Sequence, residues 1–145
     1  MQKGTREVKP DAIFVDTNLF LRYLTNDVPA QADVVEKLLR QAEQNKIQLV
    51  TNSMVVAEII WTLESYYEVE RQDIQNKILA ILNTAGLGIP ESNLILKAII
   101  WYAEKNVDFI DAYNAAWMEQ EGIEKIYTLD QKHFARFDNV EVIKP

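Results

Sequence analysis

A chain of 145 residues, nearly half of them apolar (48%), has the size of one domain and enough apolar content for a core, which excludes a disordered polymer. It has no cysteine and a single histidine, His133, which excludes disulfides, thiolate metal centres and a histidine-rich zinc site within one chain. The net charge of −7 is opposite to that of a protein holding nucleic acid by bulk charge. Any nucleic-acid partner must then be gripped by local basic groups, or through cations over acidic side chains.

The first ten residues are polar and lack a signal-peptide core, and they read as a flexible leader to a single domain over 11–145. No apolar run approaches the roughly 18 residues of a membrane helix, so a soluble, cytoplasmic chain without membrane contact is expected. Ala12-Ile13-Phe14-Val15 is an apolar run suited to a strand buried on both faces, and it ends on Asp16-Thr17-Asn18. Thr17 to Leu24 fits a short helix. Pro29 then starts a second helix, with Val34, Val35, Leu38 and Leu39 at helical spacing through residue 44.

Ile47 to Thr51 reads as the second strand. Asn52 or Ser53 caps a helix to about Tyr66, and another spans 71–84, closed by Gly86. Leu87 to Ile89 is a short third strand. Ser92 opens a helix to Lys105, and Asp108 opens one to Glu121, closed by Gly122. Lys125 to Thr128 and Val140 to Ile143 are the fourth and fifth strands, with a short helix at 131–135 between them. Strands alternating with helices imply a three-layer α/β/α sandwich around a central parallel sheet of about five strands.

Four carboxylates fall at chain positions expected to lie at the carboxyl ends of the strands, where open α/β sheets bind ligands. Asp16 follows the first strand directly, as a helix cap or a site residue. Glu58 is the lone charge in MVVAEIIW, with Met54, Val55, Trp61 and Thr62 at helical spacing. Those mostly core-facing types argue against a solvated stripe and for a partner, a cavity or a metal. Asp108 and Asp111 share a helix face near its positive end; Asp108 is a plausible N-cap, whereas Asp111 is already inside the helix. Asp130 follows the fourth strand and, taken alone, is best read as a cap. Converging, Asp16, Glu58, Asp111 and Asp130 would repel one another unless a cation neutralised them. An all-oxygen donor set favours Mg²⁺ or Mn²⁺.

At these residues the chain resembles the PIN-domain ribonucleases, and within them the VapC-type toxins of type II toxin–antitoxin pairs. The matching pieces are VDTN at 15–18, Ala57-Glu58, DFIDAYNAA at 108–116 and TLDQKHF at 128–134. Their ordered set is more specific than any one of them. The resemblance implies a parallel sheet of order 3-2-1-4-5 and an Mg²⁺- or Mn²⁺-dependent endoribonuclease. Asp16, Glu58 and Asp111 match the metal-holding acids and Asp130 the more variable fourth. Asp108 matches an accessory position, and Asn18 and Thr128 match supporting polar positions. It further implies an RNA substrate, a homodimer and an antitoxin partner, with the helices at about 53–84 as a docking surface by analogy.

Competing readings are another phosphoryl-transfer enzyme on the same acids, such as a DNA-directed nuclease or nucleotide phosphatase, and a non-catalytic binding module. Asn18, standing two after Asp16, counts against an aspartyl-phosphate phosphatase. Arg22, Lys132 and Arg136 are candidates for holding phosphate, though solvated surface charge is the commoner role. His133 has no serine or cysteine partner in sequence, and Gly86-Leu87-Gly88 lacks the third glycine of a dinucleotide loop. Trp61, Trp101 and Trp117 can stack bases, but their spacing among aliphatics favours core or dimer interface.

Overall fold

Apolar runs bracketed by turn residues become strands, and the periodic stretches between them become helices, in the order foreseen. The computed structural model describes residues 11–144, so the leader at 1–10 lies outside the described residues. The elements are β1 (Ile13–Phe14), α1 (Thr17–Thr25), α2 (Pro29–Glu43), β2 (Leu49–Val50), α3 (Ser53–Ser65) and α4 (Arg71–Leu82). There follow β3 (Leu87–Gly88), α5 (Ser92–Lys105), α6 (Phe109–Glu121), β4 (Lys125–Tyr127), α7 (Gln131–Phe134) and β5 (Glu141–Ile143). Among the described residues no helix is long and apolar enough to cross a membrane. The chain divides into two compact units, one running to Asn93 and one from Leu94.

The first unit holds a parallel sheet of order β1-β2-β3, with Ile13 opposite Leu49 and Leu49 opposite Leu87. Parallel pairing needs crossovers, and α1–α2 and α3–α4 supply them. Pro29 stands at the first position of α2, and the Asn52 side chain caps α3 by accepting from the Val55 amide at 3.0 Å. Phe20, Val56, Ile59, Leu63, Ile74 and Ile78 are all buried. The Thr51 hydroxyl, itself buried, donates to the Val15 carbonyl at 2.9 Å and ties the ends of β1 and β2 together.

Two expectations fail in this unit. β1 is not buried on both faces: Ile13 and Phe14 are 56% and 52% exposed, and only Val15 is enclosed. The reason is that β1 pairs with β2 alone and so forms an edge of its ladder. Nor does Gly86 close α4, which ends at Leu82 with Asn83 as its cap. Gly86 instead turns the chain into β3 with φ +80°, so close to α2 that a Cβ would stand 2.1 Å from the Ala42 carbonyl oxygen. Glycine is required there on both counts.

The second unit holds the parallel pair β4-β5, with Ile126 opposite Val142. Ile99, Tyr102, Phe109, Ala112, Ala115 and Phe137 are buried. Gly122 ends α6 in the left-handed conformation, and the Ile123 amide bonds back to the Met118 carbonyl at 2.9 Å. Arg136 donates to the carbonyls of Lys105 and Asn106 at 3.0 and 2.5 Å, satisfying the end of α5. Among the described residues the ladders are therefore parallel and of three and two strands; the neighbourship of β1 and β4 that the expected order requires is not among them.

Candidate functional site

Within the first unit, β1 delivers Asp16 to the start of α1, and the crossover to α3 delivers Glu58. Asp16 occupies the N-cap position, yet its Oδ1 accepts from the amide of Thr17, the very next residue, at 2.8 Å. An N-cap ordinarily serves the second or third helical amide, as Asn52 does on α3. Asp16 is thus a poor cap, and it is exposed. Thr17 is buried (4% exposed), and its hydroxyl donates to Glu58 Oε1 at 2.5 Å, a charge-assisted bond between α1 and α3.

Glu58 therefore has a partner, but its surroundings are not those expected. It is exposed, and so are Met54 (75%) and Trp61 (68%) on the same face of α3. The core-facing stripe is instead Val55, Val56, Ile59, Ile60 and Leu63. Trp61 and Trp117 are accordingly not core residues, whereas Trp101 is half-buried with its ring 5.3 Å from that of Phe137. Asn18 is exposed and lines a groove of about 610 Å³ with Leu19, Arg22, Gln31 and Val34. Arg22 donates to Gln31 at 3.0 Å and pairs with Asp27 at 3.4 Å, which commits its guanidinium locally.

Within the second unit, Asp111 is half-buried in the first turn of α6. Burial pushes its carboxyl above the usual 3.8, and the charges of Asp108 and Asp130 push it further; His133 opposes them. Asp108 holds the N-cap position of α6, but its side chain makes no capping bond, so the cap reading accounts for its place and not for its carboxylate. Asp130 does cap: Oδ1 accepts from the His133 amide at 3.1 Å. His133 Nδ1 also lies 2.8 Å from Asp130 Oδ2, and hydrogen bonding to His133 holds Asp130 below the ordinary carboxylate range. Thr128 Oγ1 accepts from the Asp130 amide at 3.0 Å. Arg136, offered above as a phosphate holder, is occupied at the end of α5.

Two contributors escaped sequence reasoning. Thr17 lies within the VDTN stretch, but a threonine hydroxyl looks the same in sequence whether it meets a carboxylate or water. His133 has no nucleophile partner in sequence; its partner in the structure is a carboxylate three residues upstream. Aspartate followed three residues later by histidine at a helix start was the available signal.

Electrostatically, the second unit sets Asp111 within range of the charges of Asp108 and of Asp130, and the first holds Glu58 by the Thr17 hydroxyl. Every donor is a hard oxygen, and the repulsion on Asp111 is of the kind a cation relieves, so the chemistry of the set fits Mg²⁺ or Mn²⁺. Among the described residues, no three Asp, Glu or His side chains stand close enough to hold one ion together.

The arrangement of short parallel strands ending on carboxylates now has a family. The model of the PIN domain matches residues 13–140, and the chain belongs to the PIN domain family. It is similar to the VapC ribonuclease of Aquifex aeolicus (strain VF5), with 23% identity over 118 residues that cover 81% of this chain and 87% of that relative.

Proposed function

We propose that the chain is a divalent-metal-dependent endoribonuclease and the toxin of a toxin–antitoxin pair, in which Asp16, Glu58, Asp111 and Asp130 together hold Mg²⁺ or Mn²⁺. The observation that carries this reading is the Thr17–Glu58 bond: a buried hydroxyl spent on fixing an exposed carboxylate in the same unit as Asp16. A carboxylate whose only task was to be solvated needs no such anchor. The name of the Aquifex aeolicus relative supports ribonuclease over other nucleases.

The reading includes a single five-stranded sheet of order 3-2-1-4-5, which sets β1 beside β4. Among the described residues, each is an edge of its own ladder. Asp108, Asn18 and Thr128 support the four acids. A homodimer, an antitoxin docked on α3–α4 and a cytoplasmic location belong to the same proposal.

When bound, the metal supplies a Lewis acid that lowers the pKa of water and offsets charge developing on phosphate. The protein's own groups position and exclude. Thr17 fixes the rotamer of Glu58, so that Glu58 Oε2 is left to orient a water in line with the scissile phosphodiester. Asp130, held by His133, is the alternative orienting group. Asp111 brings a half-buried carboxylate repelled by Asp108 and Asp130, a repulsion that a cation relieves.

Purified protein with Mn²⁺ is incubated with RNA, single-stranded DNA and p-nitrophenyl phosphate. Cleavage of RNA, lost in Asp16→Asn with the fold retained, is the expected result. Hydrolysis of the small ester alone refutes the proposal and favours the phosphatase reading.

A further inference from the structure

We infer that His133 is a positioning residue that makes Asp130 a one-oxygen ligand, and so sets the preference of the proposed site for Mg²⁺ over Ca²⁺; this rests on the metal-dependent reading above. The observation is where the ring stands. His133 Nδ1 lies 2.9 Å from Asp130 Oδ1 and 2.8 Å from Oδ2, almost equidistant from the two oxygens. An atom so placed sits on the edge between them, the same place a cation takes when both oxygens of a carboxylate chelate it. Asp130 Oδ1 also accepts from the His133 amide at 3.1 Å. Capping α7 needs only that amide, so the ring contact is additional.

Acceptor capacity decides what is left. An ionised carboxylate only accepts, through about four lone-pair sites, so the proton between the two groups belongs to Nδ1. The neutral ring protonated there and the imidazolium both supply it, so the contact requires no change of charge. The shared ring proton uses one site on each oxygen, and the amide uses the second site of Oδ1. One site remains, on Oδ2, and the Asp130 side chain is 42% exposed. Asp130 can therefore offer a cation one oxygen and not two while His133 keeps its place. Asp111 feels the charges of both Asp130 and His133, so the pair stands near a second carboxylate of the proposed set. The restriction matters to ions differently. Ca²⁺ takes about six to eight oxygens in adaptable geometry and accepts both oxygens of one carboxylate. Mg²⁺ demands a near-ideal octahedron, which the narrow bite of a chelating carboxylate distorts.

The test is calorimetric titration of the wild type, His133→Ala and His133→Asn with Mg²⁺ and with Ca²⁺, without RNA. The His133 side chain is 40% exposed and the capping amide is backbone, so both variants keep the fold, which circular dichroism checks. In His133→Ala the chelating edge is open, and Ca²⁺ affinity rises relative to Mg²⁺ by about 10-fold, the lower end of the effect of losing a group that orients a ligand. Asparagine carries its amide nitrogen on the same γ carbon that bears Nδ1, so His133→Asn restores the donor and keeps the wild-type ratio. An unchanged ratio in His133→Ala, with both ions still bound, overturns the inference and leaves the ribonuclease reading standing. So does an equal change in the alanine and asparagine variants, since the bulk of the ring and not its donor is then at work. A wild type that binds neither ion and cleaves no RNA ends both.

Discussion

Replacing Thr17 with valine isolates the bond on which the proposed site depends. Valine keeps the branched shape in a position that is 4% exposed and exchanges the hydroxyl for a methyl. A hydrogen bond to a charged group contributes about 1.5–3 kcal/mol. Here much of that returns when the bond is lost, because Glu58 is exposed and water replaces the donor. The added methyl recovers up to about 0.8 kcal/mol by burial. The net loss of stability is therefore about 1 kcal/mol, a fall in Tm of roughly 2–4 °C for a chain of this size. Function should suffer far more. A carboxylate released from its anchor samples several rotamers, and if Glu58 is the metal ligand proposed, losing the group that orients it costs about 10–100-fold in activity or metal affinity.

Initial rates of RNA cleavage with Mn²⁺ are compared for wild type, Thr17→Val and Thr17→Ser, with thermal unfolding of each. Serine retains the hydroxyl and should keep most of the activity while losing stability through its missing methyl. The two variants then separate in opposite directions in the two assays. A valine variant cleaving at the wild-type rate refutes the anchoring argument. A serine variant as inactive as valine shows that packing, not the hydrogen bond, was responsible.

Asp16→Asn should abolish cleavage with little change in Tm, because the amide it accepts from is its immediate neighbour; unfolding of the variant, seen by circular dichroism, shows that Asp16 is a cap after all. For Asp111 the folded carboxyl titrates above 3.8, so its protonated form favours the fold: that contribution is complete below 3.8 and is lost as pH rises through the raised value. Asp111→Asn should therefore leave the metal-free protein at neutral pH as stable as wild type or more so, and flatten this part of a Tm-against-pH curve. Mg²⁺ should raise the Tm of wild type by mass action and that of Asp111→Asn less, with EDTA reversing the shift in a thermal scan. Gly86→Ala should destabilise by about 2–5 kcal/mol in urea unfolding, from a left-handed backbone (about 1–2) and overpacking (about 1–3). A loss under about 1 kcal/mol shows that α2 shifts to accept the methyl.

The order and type of the elements were legible because each carries local punctuation. Pro29 starts α2, Asn52 caps α3 and Gly122 ends α6, and all three act over a few residues. Exposure was less legible. Ile13 and Phe14 read as interior because apolar runs predict burial only where a neighbouring strand covers them, and β1 is a ladder edge. Met54 and Trp61 failed for a related reason: helical spacing assigns residues to a face but does not say whether anything packs on it. Side-chain partners were the least legible. Arg136 meeting the end of α5 spans about thirty residues of sequence, and the Thr17–Glu58 bond spans more, so neither leaves a local signature.

That pattern bears on how an acidic chain meets an anionic substrate. Spacing put the carboxylates in view but not the means of holding the proposed RNA, and two of the three basic candidates proved to be structural, while Lys132 is exposed. Arg136 satisfies two carbonyls at a helix end, and Arg22 is shared between Gln31 and Asp27. With those two cations engaged, the proposed function leaves attraction to the proposed metal, to exposed Lys132 and to groups that bind without charge. Affinity should then fall with salt less steeply than for a basic nuclease, since few phosphate–cation contacts release counterions. A log–log slope of RNA affinity against salt, measured at saturating Mg²⁺, separates the cases: about one or two released ions fits metal bridging. A slope of six or more requires a basic tract that Arg22 and Arg136 do not provide.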